Sequence, residues 1–168
     1  PAQGTKDAYA VEMMSMVLSQ GNSSRLQKNI VDKQQKALFA GAFPMPTEDP
    51  GLVLMFAIAN MGIETMDLEN AVNTEVAKMS VELISVVEFE KLRNQIENDF
   101  VSGNARMSGI AESLSDYYLY YDGETNLINT ELERYLAVTR EDILAAAKKY
   151  LRVENRVTLH YLPKTDQE

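Results

Sequence analysis

The chain has 168 residues, 45% of them hydrophobic and 24% charged, with a formal net charge of −9 and no cysteine. These figures fit one globular domain with its own core. They leave no basic stripe to pair with nucleic-acid phosphates and remove disulfides, thiolate chemistry and cysteine zinc sites together.

No apolar run nears the roughly 20 residues of a membrane span, and no signal-peptide pattern stands at the start. Beginning at Pro1 without Met, the chain reads as a piece of a longer protein, with any targeting segment upstream. Asp7 to Leu18 is apolar nearly all round, which predicts a buried helix. Gly21 stops it, and Asn22 or Ser23 can cap a second helix with Leu26, Ile30 and Val31 on its inner face. Ala37–Phe43 and Leu52–Ala59 read as strands, separated by "PMPTEDPG", whose prolines and glycine forbid regular structure. The second strand is apolar on both faces, as expected of one covered on both sides or lying inside an oligomer.

From Thr65 onward the pattern is helical, with Leu68, Val72, Val76, Met79 and Leu83 in one apolar stripe. Ser85 and Glu88 form a capping box ahead of Phe89, Leu92, Ile96 and Phe100. Past an interruption at Gly103, Met107, Ile110, Leu114 and Tyr118 continue an apolar face. "YDGET" is a turn, Leu127–Leu136 a short helix, and "VTREDILAAAKKYL" a helix boxed by Thr139 and Asp142. The chain closes on "RVTLHYLP", an alternating strand. The order is ααββ, several helices, then β, which is an α+β arrangement with helices on an antiparallel or mixed sheet. Residues 1–163 form a single domain, and 164–168 a disordered tail.

Chemistry is sparse. His160 is the only histidine, so no two-histidine zinc motif is possible within the chain. Gly-Asn-Ser-Ser (21–24) lacks the spacing and the lysine of a phosphate loop, and reads as a hinge between helices. The carboxylate pairs Glu48/Asp49, Glu64/Asp67, Glu88/Glu90 and Glu141/Asp142 lie in turns and first helical turns, where capping explains them. "SDYYLYYDG" cannot point all four tyrosines one way. Two are packed and two half-exposed, unless the cluster lines a ligand pocket of an unrelated binding domain.

Three stretches together resemble one family. Gly21 to Leu26 resembles the "G-x-S-S-R-L" segment of the pitrilysin/insulinase-like zinc peptidases, a group that includes the mitochondrial processing peptidases. "VVEFEKLRNQIENDF" (86–100) is similar to the family's "V-x-x-x-E-L-x-x-x-K" helix, and "VTREDILAAAKKYL" followed by "RVTLHYLPK" to its C-terminal signature. The resemblance implies a LuxS/metallohydrolase-like α+β domain, one of several forming a clamshell around a chamber that admits unfolded peptides. The zinc-bearing domain of such enzymes carries H-x-x-E-H; this chain has none and is similar to the non-zinc domain that follows it.

Some of those domains supply an Arg and a Tyr that hold the substrate carbonyl. Here the corresponding positions are Val31 and Leu38, so the resemblance implies no catalytic and no metal residue in this chain. Zinc is expected in a partner domain or subunit. Gly21, Ser23, Ser24, Arg25 and Leu26 are implied to be structural, with Arg25 tying the turn to a neighbouring carboxylate. The strand Ala37–Phe43, through Leu38, Phe39, Ala40 and Ala42, is placed as the peptide-facing wall because its backbone can pair with an extended peptide.

The resemblance further implies that about three quarters of a domain is present. One sheet edge is then left to a homodimer or a partner chain. A bacterial periplasm or cell envelope is the implied location. A wholly inactive homologue acting as an assembly scaffold is the alternative function.

Overall fold

The computed structural model describes residues 1–47 and 49–162. Helix α1 (Lys6–Ser19) is the central element. Thr5 caps it by accepting a hydrogen bond from the Ala8 amide, and Tyr9, Ala10, Val11, Met13, Met14, Val17 and Leu18 are buried around nearly its whole circumference. After Gln20 the backbone turns left-handed at Gly21 (φ 78°), a conformation only glycine adopts without strain. The second helix is a π-helix, Gln27–Lys33. Asn29 on it donates to buried Glu75, which also receives Lys78.

Strands β1 (Ala37–Met45) and β2 (Leu52–Ala59) pair antiparallel as a two-stranded sheet. β1 runs further into the proline-rich stretch than expected: Pro44 and Met45 still sit opposite Val53 and Leu52. A two-strand ladder leaves Pro44 an edge position, where a missing N–H is tolerated. Next come α2 (Thr65–Val81), α3 (Val86–Gly103), α4 (Met107–Tyr120), α5 (Leu127–Leu136) and α6 (Arg140–Tyr150). Both expected capping boxes, Ser85/Glu88 and Thr139/Asp142, form in full. α1 is the layer between the sheet and helices α3, α5 and α6, so the core is one cluster built around it.

Four expectations are corrected. "RVTLHYLP" is not a strand: Arg156–Leu162 is extended but has no ladder partner among the described residues, because strand identity needs a neighbour that alternation cannot supply. β2 is not covered on both sides within the chain, since Leu52, Leu54, Phe56 and Ile58 are exposed, which rules out that alternative and not the one in which an oligomer covers it. The apolar row on α4 is covered only in part: Met107 is 85% and Tyr118 69% exposed while Ile110 and Leu114 are half-buried, and the helix buries Tyr117 instead. Leu83 falls beyond the end of α2 and is exposed. Glu48, Pro163 and the expected tail 164–168 lie outside the described residues.

Candidate functional site

The turn between α1 and the π-helix places its charged and polar groups on partners within the fold. Arg25 donates from Nε and Nη2 to the two carboxylate oxygens of Glu88, at 3.0 and 3.2 Å. Glu88 in turn receives the amide and hydroxyl of Ser85 at the start of α3. Burial pushes the Glu88 carboxyl up, but the bonds from Arg25 and Ser85 outweigh it and hold the group at about 2. Ser23 receives Lys91 of α3 rather than capping the π-helix, and no side chain caps that helix. Ser24 is buried, and its hydroxyl has no hydrogen-bond partner among the described residues. Leu26 is buried in the core. Arg25 therefore ties the turn after α1 to the start of α3. Neither Val31 nor Leu38, the positions matching the carbonyl-holding pair, can donate a hydrogen bond from its side chain.

Zinc does not fit the described residues. His160 bonds Glu69 through Nε2 (2.8 Å) and lies 3.3 Å from the Thr65 hydroxyl through Nδ1. No group of three or more His, Asp or Glu side chains gathers as a metal site among the described residues.

The hairpin carries the largest feature. Its inner face (Ala40, Ala42, Met55, Ala57) packs on the core built around α1. Its outer face presents Phe39, Phe43, Leu52, Leu54, Phe56 and Ile58 to solvent. A register shift between Ala37 and Phe39 throws the consecutive residues Leu38 (64%) and Phe39 (44%) both outward. Phe39 stacks on Phe56 (5.0 Å between ring centres) and Phe56 meets Phe43 edge-on at 5.8 Å. Gly41 makes the stack possible: a Cβ there would come within 2.9 Å of the Phe39 ring. Of the four strand residues placed from sequence, Leu38 and Phe39 face outward while Ala40 and Ala42 are buried. Phe43 and the β2 row belong to the same surface, which β2, being apolar on both faces, did not mark in the sequence.

Beyond the far edge of β2 lies a gap of about 1200 Å³, bounded across from it by Arg156–Tyr161. That segment is moored to α2 by Glu69, which takes His160, Thr158 (3.4 Å) and Arg156 (3.6 Å). Val157, Leu159 and Tyr161 stand 88%, 87% and 99% exposed. Tyr9, Glu12, Tyr121 and Tyr135 line the same gap; Tyr135 donates to Glu12 at 2.6 Å, and Tyr117 donates to Glu131. Tyr9 sits edge-on to Tyr135, with its hydroxyl 3.5 Å from Glu131. Tyr117 and Tyr121 are the inward pair of the tyrosine cluster, while Tyr118 and Tyr120 are exposed.

A family model described as the peptidase M16 inactive domain matches residues 1–96. The zinc protease PqqE of Helicobacter pylori is 26% identical over 163 residues, which is 97% of this chain and 36% of that protein. The chain thus spans about a third of the length of the curated relative it matches. The solved inactive peptidase domain of a proposed zinc protease from Bordetella parapertussis superposes with a TM-score of 0.81 at 24% identity, covering 99% of this chain and 89% of that one. The periplasmic protease PqqL of Escherichia coli superposes with a TM-score of 0.70 at 15% identity, over 90% of this chain and 16% of that one.

Proposed function

The chain belongs to the peptidase M16 inactive-domain family, and we propose that it forms one wall of the peptide-enclosing chamber of a zinc peptidase and packs on the zinc-bearing domain. The uncovered apolar face of the hairpin carries this reading. A contiguous surface of Phe39, Phe43, Leu54, Phe56 and Ile58 is what a domain interface or an unfolded peptide buries. Zinc would then be held by the partner domain, where it would supply Lewis acidity. This domain contributes shape and apolar contact.

In this reading residues 1–163 act as the single inactive domain, and Leu38 and Phe39, which face outward, line the chamber. The likeness to a periplasmic protease supports a bacterial envelope location.

The test is Phe39→Ser with Phe56→Ser in the intact enzyme. Turnover of an unfolded peptide should fall at least tenfold while bound zinc is unchanged. Unaltered turnover overturns the chamber-wall role. An intact protein that binds no zinc and cleaves nothing, yet still assembles with a partner through this face, would establish the scaffold alternative.

A further inference from the structure

Helix α4 carries a second exposed apolar surface, which shares no residue with the hairpin. Its inner side is firmly seated: Tyr117 is buried and donates to Glu131 of α5, and Gly109 lies so near the Gly103 carbonyl that a Cβ there would meet it at 2.0 Å. Its outer side is bare. Met107, Tyr118, Leu119 (66%) and Tyr120 are all exposed. Consecutive helical residues point about 100° apart, so Tyr118, Leu119 and Tyr120 leave apolar surface over about half of the last turn. A helix apolar over so much of its circumference is normally a covered one.

Charge around this surface has one sign. From Met107 to Glu133 the sequence holds Glu112, Asp116, Asp122, Glu124, Glu131 and Glu133, and no Lys, Arg or His. Glu131 is taken by Tyr117, and Glu124 lies 3.7 Å from Arg134. Glu112, Asp116 and Asp122 are exposed, and among the described residues no cation pairs with them. Asp116 and Glu112 lie one and two turns before Leu119 on its side of the helix, so the bare apolar turn is rimmed by free carboxylates.

We infer that this face docks against the neighbouring domain that the proposed function expects to hold zinc, at a site apolar in its centre and bearing Lys or Arg at its rim. The partner's identity rests on that reading; the site rests on α4 itself. Charge complementarity selects the occupant. A second copy would bring another set of the same carboxylates, and an anionic lipid surface would be repelled in the same way. An extended peptide is disfavoured because the main-chain groups of α4 are bonded within the helix and cannot extend a sheet. A folded, basic-rimmed surface fits. Tyrosine and methionine are favoured in interface cores, and the ring faces of Tyr118 and Tyr120 attract a Lys or Arg. The chain spans about a third of the curated relative it matches, which leaves room for such a domain in one polypeptide.

The experiment is peroxide oxidation of Met107 in the intact enzyme, read by mass spectrometry, together with photo-crosslinking from Tyr120→p-benzoylphenylalanine. Met107 is expected to oxidise roughly tenfold more slowly than in a short peptide of its own sequence. Position 120 is expected to link to the neighbouring domain. Leu119→Asp should restore fast oxidation of Met107 with the far-ultraviolet spectrum unchanged. Glu112→Lys with Asp116→Lys should cut the cross-link yield roughly tenfold, because both rims are then positive.

Fast oxidation of Met107 in the intact enzyme overturns the inference, since the face is then open. A link from position 120 to a second copy, to this domain itself or to a bound peptide overturns it as well. So does an unchanged yield in the doubly charge-reversed variant. Zinc content and peptide turnover keep this inference apart from the proposed function. A protein without zinc or turnover whose position 120 still links to the neighbouring domain refutes the peptidase reading and supports the docking face. An active enzyme with Met107 open refutes the docking face alone.

Discussion

Glu12 lies on α1 among apolar neighbours, with the Tyr135 hydroxyl as its donor. Burial pushes its carboxyl up, Tyr135 counters this in part, and Glu131 adds repulsion. Because the folded value lies above the unfolded one, the protonated form is favoured in the folded state. The associated stability is lost as pH rises through the folded value. Glu12→Gln keeps an acceptor for Tyr135 and removes the charge. It should stabilise the chain by about 1 kcal/mol at pH 8, with the gain shrinking towards pH 4. Tyr135→Phe should cost about 1–3 kcal/mol at pH 8 by leaving the carboxylate without its donor. Urea unfolding at the two pH values measures both, and equal gains for Glu12→Gln at pH 4 and pH 8 would refute the buried-charge account. Nothing in the local sequence marks Glu12, since its partner is 123 residues away; a charged residue inside a helix apolar nearly all round is the one available signal.

At the scale of elements, the Arg25–Glu88 clamp joins the turn after α1 to the start of α3. Glu88 is doubly committed, to the capping box and to the guanidinium. Its folded value of about 2 is below the ordinary carboxylate range, so its contribution is present above about pH 4.5 and is lost as pH falls towards 2. Arg25→Ala should destabilise by about 1–2 kcal/mol at pH 7, an amount limited by solvent screening at the partly exposed carboxylate. The loss should vanish near pH 2. A thermal-melt series across pH checks this, and a loss independent of pH would show that packing of the arginine stem is responsible. Much at this scale was legible in the sequence. β2 and α5 occupy the ranges expected, and both capping boxes form, because caps and periodicity are local physics. The π-helix was legible only as a helix, since apolar spacing does not distinguish its wider turn. The segment Arg156–Leu162 failed because alternation records two faces and cannot supply a neighbour. For the hairpin's outer face, a doubly apolar strand implies two covers but cannot say whether the second comes from the same chain or from another, and within the described residues it is not supplied. Of the strand residues singled out from the sequence, Leu38 and Phe39 face outward while Ala40 and Ala42 face inward, and the bulge that turns Leu38 out was invisible in the sequence.

Across the whole molecule the chain carries a net charge of −9, while the hairpin and the Val157–Tyr161 segment expose apolar side chains. The tyrosines around Glu12 and Glu131 extend the consequences to the near-ultraviolet spectrum. Burial and the adjacent carboxylates push the phenols of Tyr9, Tyr117, Tyr121 and Tyr135 above their ordinary value. Their contribution to stability is therefore kept until alkaline pH and lost as these groups ionise. With eight tyrosines and no tryptophan to mask them, phenolate absorbance near 295 nm should develop in two stages. The second stage should coincide with loss of ellipticity, so that the chain reports its own alkaline melting by colour; a single stage would show those four rings to be as freely hydrated as the others.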